Sequence, residues 1–172
     1  MALFTRDRQL SDDPEKRVVE GRFLGRYRSA AGEATGHVEL NVGRDKFSSF
    51  SALTIADFGD LRAGSNFMSD AARDWRRPFT VDRINGQDTL VPNDDPLVQS
   101  PSGYTQIDGI QKFLFKPNAR NDHLINFQFS STSDVPRYDR LTDTLPIGHL
   151  RRAEWFYGPQ LRLTGAYRYT HR

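Results

Sequence analysis

The chain has 172 residues, with 24 Lys and Arg against 22 Asp and Glu, 37% apolar residues and no cysteine. This is enough for one ordinary domain, and no run of about 20 apolar residues exists to cross a membrane as a helix, which leaves a β-barrel possible because half of each barrel strand is polar. The missing cysteines exclude disulfides and thiolate–metal sites, and arginines that alternate with aromatics instead of clustering, at a net charge of +2, argue against a nucleic-acid binder.

Residues 1–16 read as a polar loop. They carry Arg6, Asp7, Arg8, Asp12, Asp13, Glu15 and Lys16 with almost no apolar run, so they are no secretory signal peptide. The expectation is either a cytosolic chain or an internal piece of a longer one. Residues 17–29 form the first strand, with Val19, Phe23 and Tyr27 on one face and Glu20, Arg22, Arg26 and Arg28 on the other. A short turn around Gly32 leads to a second strand, where Val38, Leu40 and Val42 alternate with His37, Glu39 and Asn41. Gly43, Arg44 and Asp45 read as a tight hairpin turn. A third strand over 46–58 is rich in Ser and Phe, and its alternation is blurred. Residues 59–103, with four prolines, read as a long irregular loop. The fourth strand (104–116) sets Ile107, Phe113 and Phe115 against Gln106, Asp108 and Lys112. After a turn over 117–121, the fifth strand sets Ile125, Phe127 and Phe129 against Asn126, Gln128 and Ser130. A second long loop covers 133–158. The sixth strand sets Leu161, Leu163, Tyr167 and Tyr169 against Gln160, Arg162, Thr164 and Arg168.

Period-two alternation in segments of about ten residues marks a sheet with one apolar and one charged face, as in a transmembrane barrel. A half-buried soluble strand reads similarly. The expected fold is all-β: an antiparallel meander with strands near 18–30, 34–43, 46–58, 103–117, 121–133 and 158–170. In such a meander both long loops share one end. The short turns after the second and fourth strands share the other. Tyr27, Tyr104, Trp155, Tyr157, Tyr167 and Tyr169 sit near strand ends, where aromatic girdles meet a lipid interface.

Four strings stand out: ALTIADFGDLRAGS (52–65), SGYTQIDGIQKFLFKPN (102–118), SSTSDVPRYDRLTD (130–143) and AEWFYGPQLRL (153–163). Together, and above all as PRYDRLTD followed by EWFYGPQ, they resemble the barrel of TonB-dependent outer-membrane receptors of the Bacteroidetes type. The likeness covers residues 18–172. It implies a partial, roughly six-strand segment of a transmembrane barrel of about 22 strands around a plugged lumen. It also implies an outer-membrane location and import of a scarce nutrient of the haem, cobalamin or ferric-siderophore class, with no enzymatic step and no cofactor. The implied partners are outer-membrane lipid, a plug domain and further strands of the same receptor, TonB, and the cargo; nucleic acid is not among them. The charged row (Glu20, Arg22, Arg26, Arg28, His37, Glu39, Asn41, Gln106, Asp108, Lys112, Asn126, Gln128, Arg162, Arg168) would then face the lumen. The alternative from another class is a soluble β-sandwich binding module, with carbohydrate as one ligand class.

Pro136 suits a strand's exit into a loop, since it donates no ladder hydrogen bond. Arg137 and Asp139 are placed to pair, and Tyr138 to anchor the loop base. Arg137, Tyr138 and Trp155 are the ligand-contact candidates, although anchoring roles are favoured for all three. His37, His123, His149 and His171 lack any zinc-ligand spacing. Asp57 and Asp60, and Asp94 and Asp95, read as solvated loop carboxylates more readily than as a calcium loop. No nucleophile motif and no phosphate-binding glycine loop is present.

Overall fold

The computed structural model describes residues 9–66, 76–141, 143, 152 and 154–172. His149, residues 1–8 and positions 142 and 153 of the sequence motifs lie outside the described residues.

The chain is all-β. Its frame is one six-stranded antiparallel sheet built from β1 (Val18–Arg28), β2 (Glu33–Gly43), β3 (Phe47–Phe58), β8 (Tyr104–Asn118), β9 (Asn121–Thr132) and β12 (Leu161–His171), hydrogen-bonded in that order. Between β3 and β8 lie β4 (Leu61–Arg62), β5 (Phe79–Ile84), β6 (Gln87–Pro92) and β7 (Val98–Gln99). Between β9 and β12 lie β10 (Val135–Pro136), a single helical turn α1 (Tyr138–Leu141) and β11 (Phe156–Tyr157). The meander, the strand bounds to within a few residues and the placement of both long connections at one end follow the alternation and the turns.

Register settles the faces. Val19 opposes Val42, Phe23 opposes Val38, and Val38 opposes Leu53. Ile55 opposes Ile107, Phe113 opposes Ile125, and Leu163 opposes Phe129. Directly opposed residues share a face, so Phe23, Val38, Leu40, Phe113, Phe115, Ile125, Phe127, Leu161 and Leu163 all lie on one side. Two glycines on this side lie beneath rings, Gly109 beneath Phe129 and Gly165 beneath Phe127. A Cβ on Gly109 would stand 2.0 Å from the ring of Phe129, its cross-strand partner, so the position admits only glycine while that ring lies flat on it.

The blurred alternation of β3 has a physical cause. Ser49 and Ser51 occupy the apolar side, where Gln111 satisfies both: its Nε2 donates to Ser49 Oγ at 2.9 Å and its Oε1 accepts from Ser51 Oγ at 2.6 Å. Phe50 points to the charged side and is buried there beneath Lys112, whose Nζ lies 5.8 Å from the ring centroid.

Three expectations need correction. Residues 59–103 are not irregular throughout: β5 and β6 form a hairpin closed by Asn85-Gly86, both at positive φ (51° and 80°), the two-residue turn that matches strand twist. Gly43 belongs to β2, and its lack of a side chain serves a close approach: a Cβ there would meet the Gln9 carbonyl oxygen at 2.2 Å. Tyr104 lies on the charged side, stacked on Phe58 with centroids 4.6 Å apart, so it does not share the side of Tyr27, Tyr167 and Tyr169.

Candidate functional site

Two places in the fold carry chemistry: the charged side of the sheet and the loop cluster above it. On the charged side the register gathers the whole polar row, because opposed pairs such as Arg22–Glu39, Glu20–Asn41, Lys112–Asn126 and Thr164–Gln128 repeat across the sheet. Every residue of the six sheet strands that carries a formal charge lies there except Asp57, at the loop-end rim of β3.

The acidic members are engaged. Glu33 is almost fully buried; it accepts from Arg26 Nε at 2.9 Å and from Thr35 Oγ1 at 2.6 Å, with Arg28 at 3.5 Å. His37 bridges Thr54 Oγ1 (2.8 Å) and Glu39 Oε1 (3.0 Å). Gln106 Nε2 donates to Asp108 Oδ2 at 2.8 Å. Asp122 Oδ2 stands 3.6 Å from Lys116 Nζ and 3.2 Å from an Arg172 guanidinium nitrogen. Asn41 clamps an incoming segment: its Oδ1 accepts from Gln9 N–H and its Nδ2 donates to Gln9 O, both at 3.3 Å. Ser11 N–H, donating to Arg44 O at 3.1 Å, holds that segment against the end of β2. By contrast, Arg162 and Arg168 make no ion pair or hydrogen bond through their side chains among the described residues. They oppose Ser130 and Leu124, which offer no charge. At the short-turn end Lys116, Asp122, Arg168 and Arg172 ring a cleft of about 280 Å³ floored by Leu114 and Leu124.

At the loop end the side chains act as fasteners. Asp60 Oδ1 accepts from the N–H of Ser102 (2.7 Å) and of Gly103 (2.9 Å), closing the base of the long β3–β8 connection. Burial pushes this carboxyl up, but the bonds from Ser100, Ser102 and Gly103 outweigh burial and hold it below the ordinary carboxylate range. Asp95 also titrates low, chiefly through its hydrogen bond from Arg62. Asn93 Nδ2 ties Arg77 O (2.8 Å) to Val98 O (2.9 Å).

The PRYD string resolves residue by residue. Arg137 grips Asp139 with two bonds of 2.7 and 2.6 Å and lies 4.9 Å over the Tyr157 ring. That pair lowers the Asp139 carboxyl. Tyr138 is 5% exposed. Its hydroxyl donates to Phe79 O at 2.8 Å, which joins α1 to the β5–β6 hairpin of the other loop. Burial raises its phenol. Trp155 receives Arg152 at 4.0 Å from its ring centroid, and its carbonyl accepts from Arg137 N–H. The three ligand-contact candidates are thus close together, each occupied by a contact within the loops. Sequence reading missed Phe79, the partner of Tyr138. The Asn-Gly turn that places it was the available signal.

No protein-family model, curated protein or solved structure matches this chain.

Proposed function

We propose that this chain forms part of the wall of an outer-membrane barrel of the TonB-dependent receptor type, which admits a scarce nutrient past a plug without chemistry of its own. The observation that carries the reading is the exposure of the apolar side together with the near-complete segregation of charge. Phe23 is 79% exposed and Leu163 72% exposed on a side whose strands carry no formal charge but Asp57. Water penalises such a surface and lipid does not. The strands, 11 to 15 residues long, exceed or match the 9–11 residues or so that a tilted strand needs to cross the hydrocarbon core. The hollow on that side, about 810 Å³ and lined by Val38, Leu40, Leu53, Phe127, Phe129 and Leu163 over Gly109 and Gly165, suits acyl chains.

On this reading the charged side faces a hydrated lumen, where its groups remain solvated or paired. Plug, TonB, further strands and a cargo of the haem, cobalamin or ferric-siderophore class are the partners that the resemblance supplies. The soluble-sandwich alternative needs a second sheet over the apolar side. Among the described residues the other sheets are two-stranded, and the apolar side chains stay exposed.

The chain has no cysteine, so single cysteines report cleanly. Leu53→Cys and Val38→Cys, on the apolar side, are expected to resist a water-soluble maleimide in dodecylmaltoside micelles, while Asp108→Cys and Gln128→Cys react. Equal labelling on both sides would reject the barrel reading.

A further inference from the structure

The cations of β12 form a row without enough acid to meet it. Arg162 and Arg168 have no side-chain partner among the described residues, and Arg172 shares the single carboxylate of Asp122 with Lys116. All three arginines belong to one strand or its last step, and Arg162 and Arg168 lie on the charged side of the sheet. At about 3.3 Å per strand residue, Arg162 and Arg168 are ~20 Å apart and Arg172 lies ~13 Å further on. No small anion spans that distance. A uniform polyanion such as a nucleic acid would also meet Glu39 and Asp108 on the same side. A polypeptide can set carboxylates at the cations and neutral residues elsewhere.

We infer that the charged side of the sheet seats an acidic polypeptide segment along β12, with carboxylates opposite Arg162, Arg168 and the Lys116–Arg168–Arg172 cleft. This deepens the barrel reading, on which it rests for calling that side the lumen. It assigns acidic chemistry to whatever polypeptide lies against this stretch of wall. Charge complementarity carries the assignment: among the described residues, acids along the wall already have partners, and the surplus is cationic.

The test is fluorescence anisotropy with the full chain in dodecylmaltoside micelles at low salt. The probe is a labelled Gly/Ser peptide whose glutamates repeat the spacing of positions 162, 168 and 172. Controls are the Gln counterpart and a peptide with the same glutamates contiguous. Binding of the spaced peptide is expected to exceed that of either control. Each exposed pair is worth at most about fivefold, so the combined Arg162→Gln, Arg168→Gln, Arg172→Gln variant is expected to weaken binding about tenfold. A variant with the same loss of charge on the turns (Arg44→Gln, Lys46→Gln, Arg120→Gln) is expected to bind as the parent does. Equal loss in both variants would mean general charge attraction and overturn the inference. So would equal binding of the contiguous peptide or of an oligonucleotide, or full competition by inorganic phosphate at millimolar level. Far-ultraviolet circular dichroism of both variants shows that the sheet persists. The cysteine labelling above uses no peptide, so a failure of the barrel reading is distinguished from a failure of this one.

Discussion

Asp60 shows how much a single side chain does at the loop base. Its folded-state pKa is depressed by the bonds from Ser100, Ser102 and Gly103, so its contribution is present above the unfolded carboxylate pKa of about 3.9 and is lost as pH falls below that through the lower folded value. Amide exchange at Ser102 and Gly103 is expected to show less protection, relative to intrinsic rates, as pH drops below about 4. Asp60→Asn keeps an acceptor and is expected to remove that pH dependence. Asp60→Ala leaves two N–H groups without their acceptor, at a local cost of about 1–2 kcal/mol. Protection at Ser102 that is unchanged in Asp60→Ala would refute this account. Tyr138 works similarly between two loops. Tyr138→Phe removes one hydrogen bond and leaves the ring in place, for about 0.5–1.5 kcal/mol. Limited proteolysis is expected to cut the β5–β6 hairpin faster in that variant, with the dichroism of the six-stranded sheet unchanged. Unaltered cleavage would mean that ring packing alone joins the loops. Alternation located Tyr138 and Arg137 only as residues beyond a strand's end. Their partners are set by how two long connections meet, and local pattern carries no information on that.

At the scale of the strand, depth decides what a charge costs. Leu53 lies mid-strand between Val38 and Gly109, whereas Leu161 opens β12 at the loop end. Within the barrel reading, alternation alone sets Leu161→Arg at roughly 2–4 kcal/mol near mid-bilayer; the register corrects this by placing Leu161 at the loop end of β12, where the change is expected to cost only about 0–1, and Leu53→Arg takes the mid-bilayer cost of roughly 2–4. Urea titrations in micelles of defined acyl length measure both, and equal costs would show that depth is not what the two positions differ in. At the short-turn end of the apolar side, His123 bonds Tyr167 Oη at 2.8 Å and Tyr169 Oη donates to Asn121 at 2.6 Å. Tyr167 and Tyr169 were legible as strand-end aromatics. The histidine and asparagine that satisfy their hydroxyls were not, because cross-strand register lay outside any single segment.

At the scale of the molecule, the sheet is open among the described residues: β1 and β12 each pair there on one side only. Unpaired edges and a wide apolar face favour association in water. The 172 residues alone, without detergent, are therefore expected to elute as aggregate on size-exclusion chromatography and to melt without a cooperative transition. A monodisperse monomer with a sharp melt would show that the apolar side finds cover within the chain, and the wall reading would fall with it.

The sequence by itself determined the all-β class, the strand order and the two faces. Side-chain direction alternates with period two along any strand, so a local pattern suffices to sort Phe23, Val38 and Leu163 from Arg22, Glu39 and Arg162 once the strands pair as a meander. Only the tertiary structure decided that Phe50 is buried under Lys112, that Gly43 makes room for Gln9, that Tyr138 reaches Phe79, and that Arg168 and Arg172 flank Asp122 and Lys116. Each depends on the register or docking of segments far apart in the chain, where long-range geometry and not local periodicity selects the neighbour.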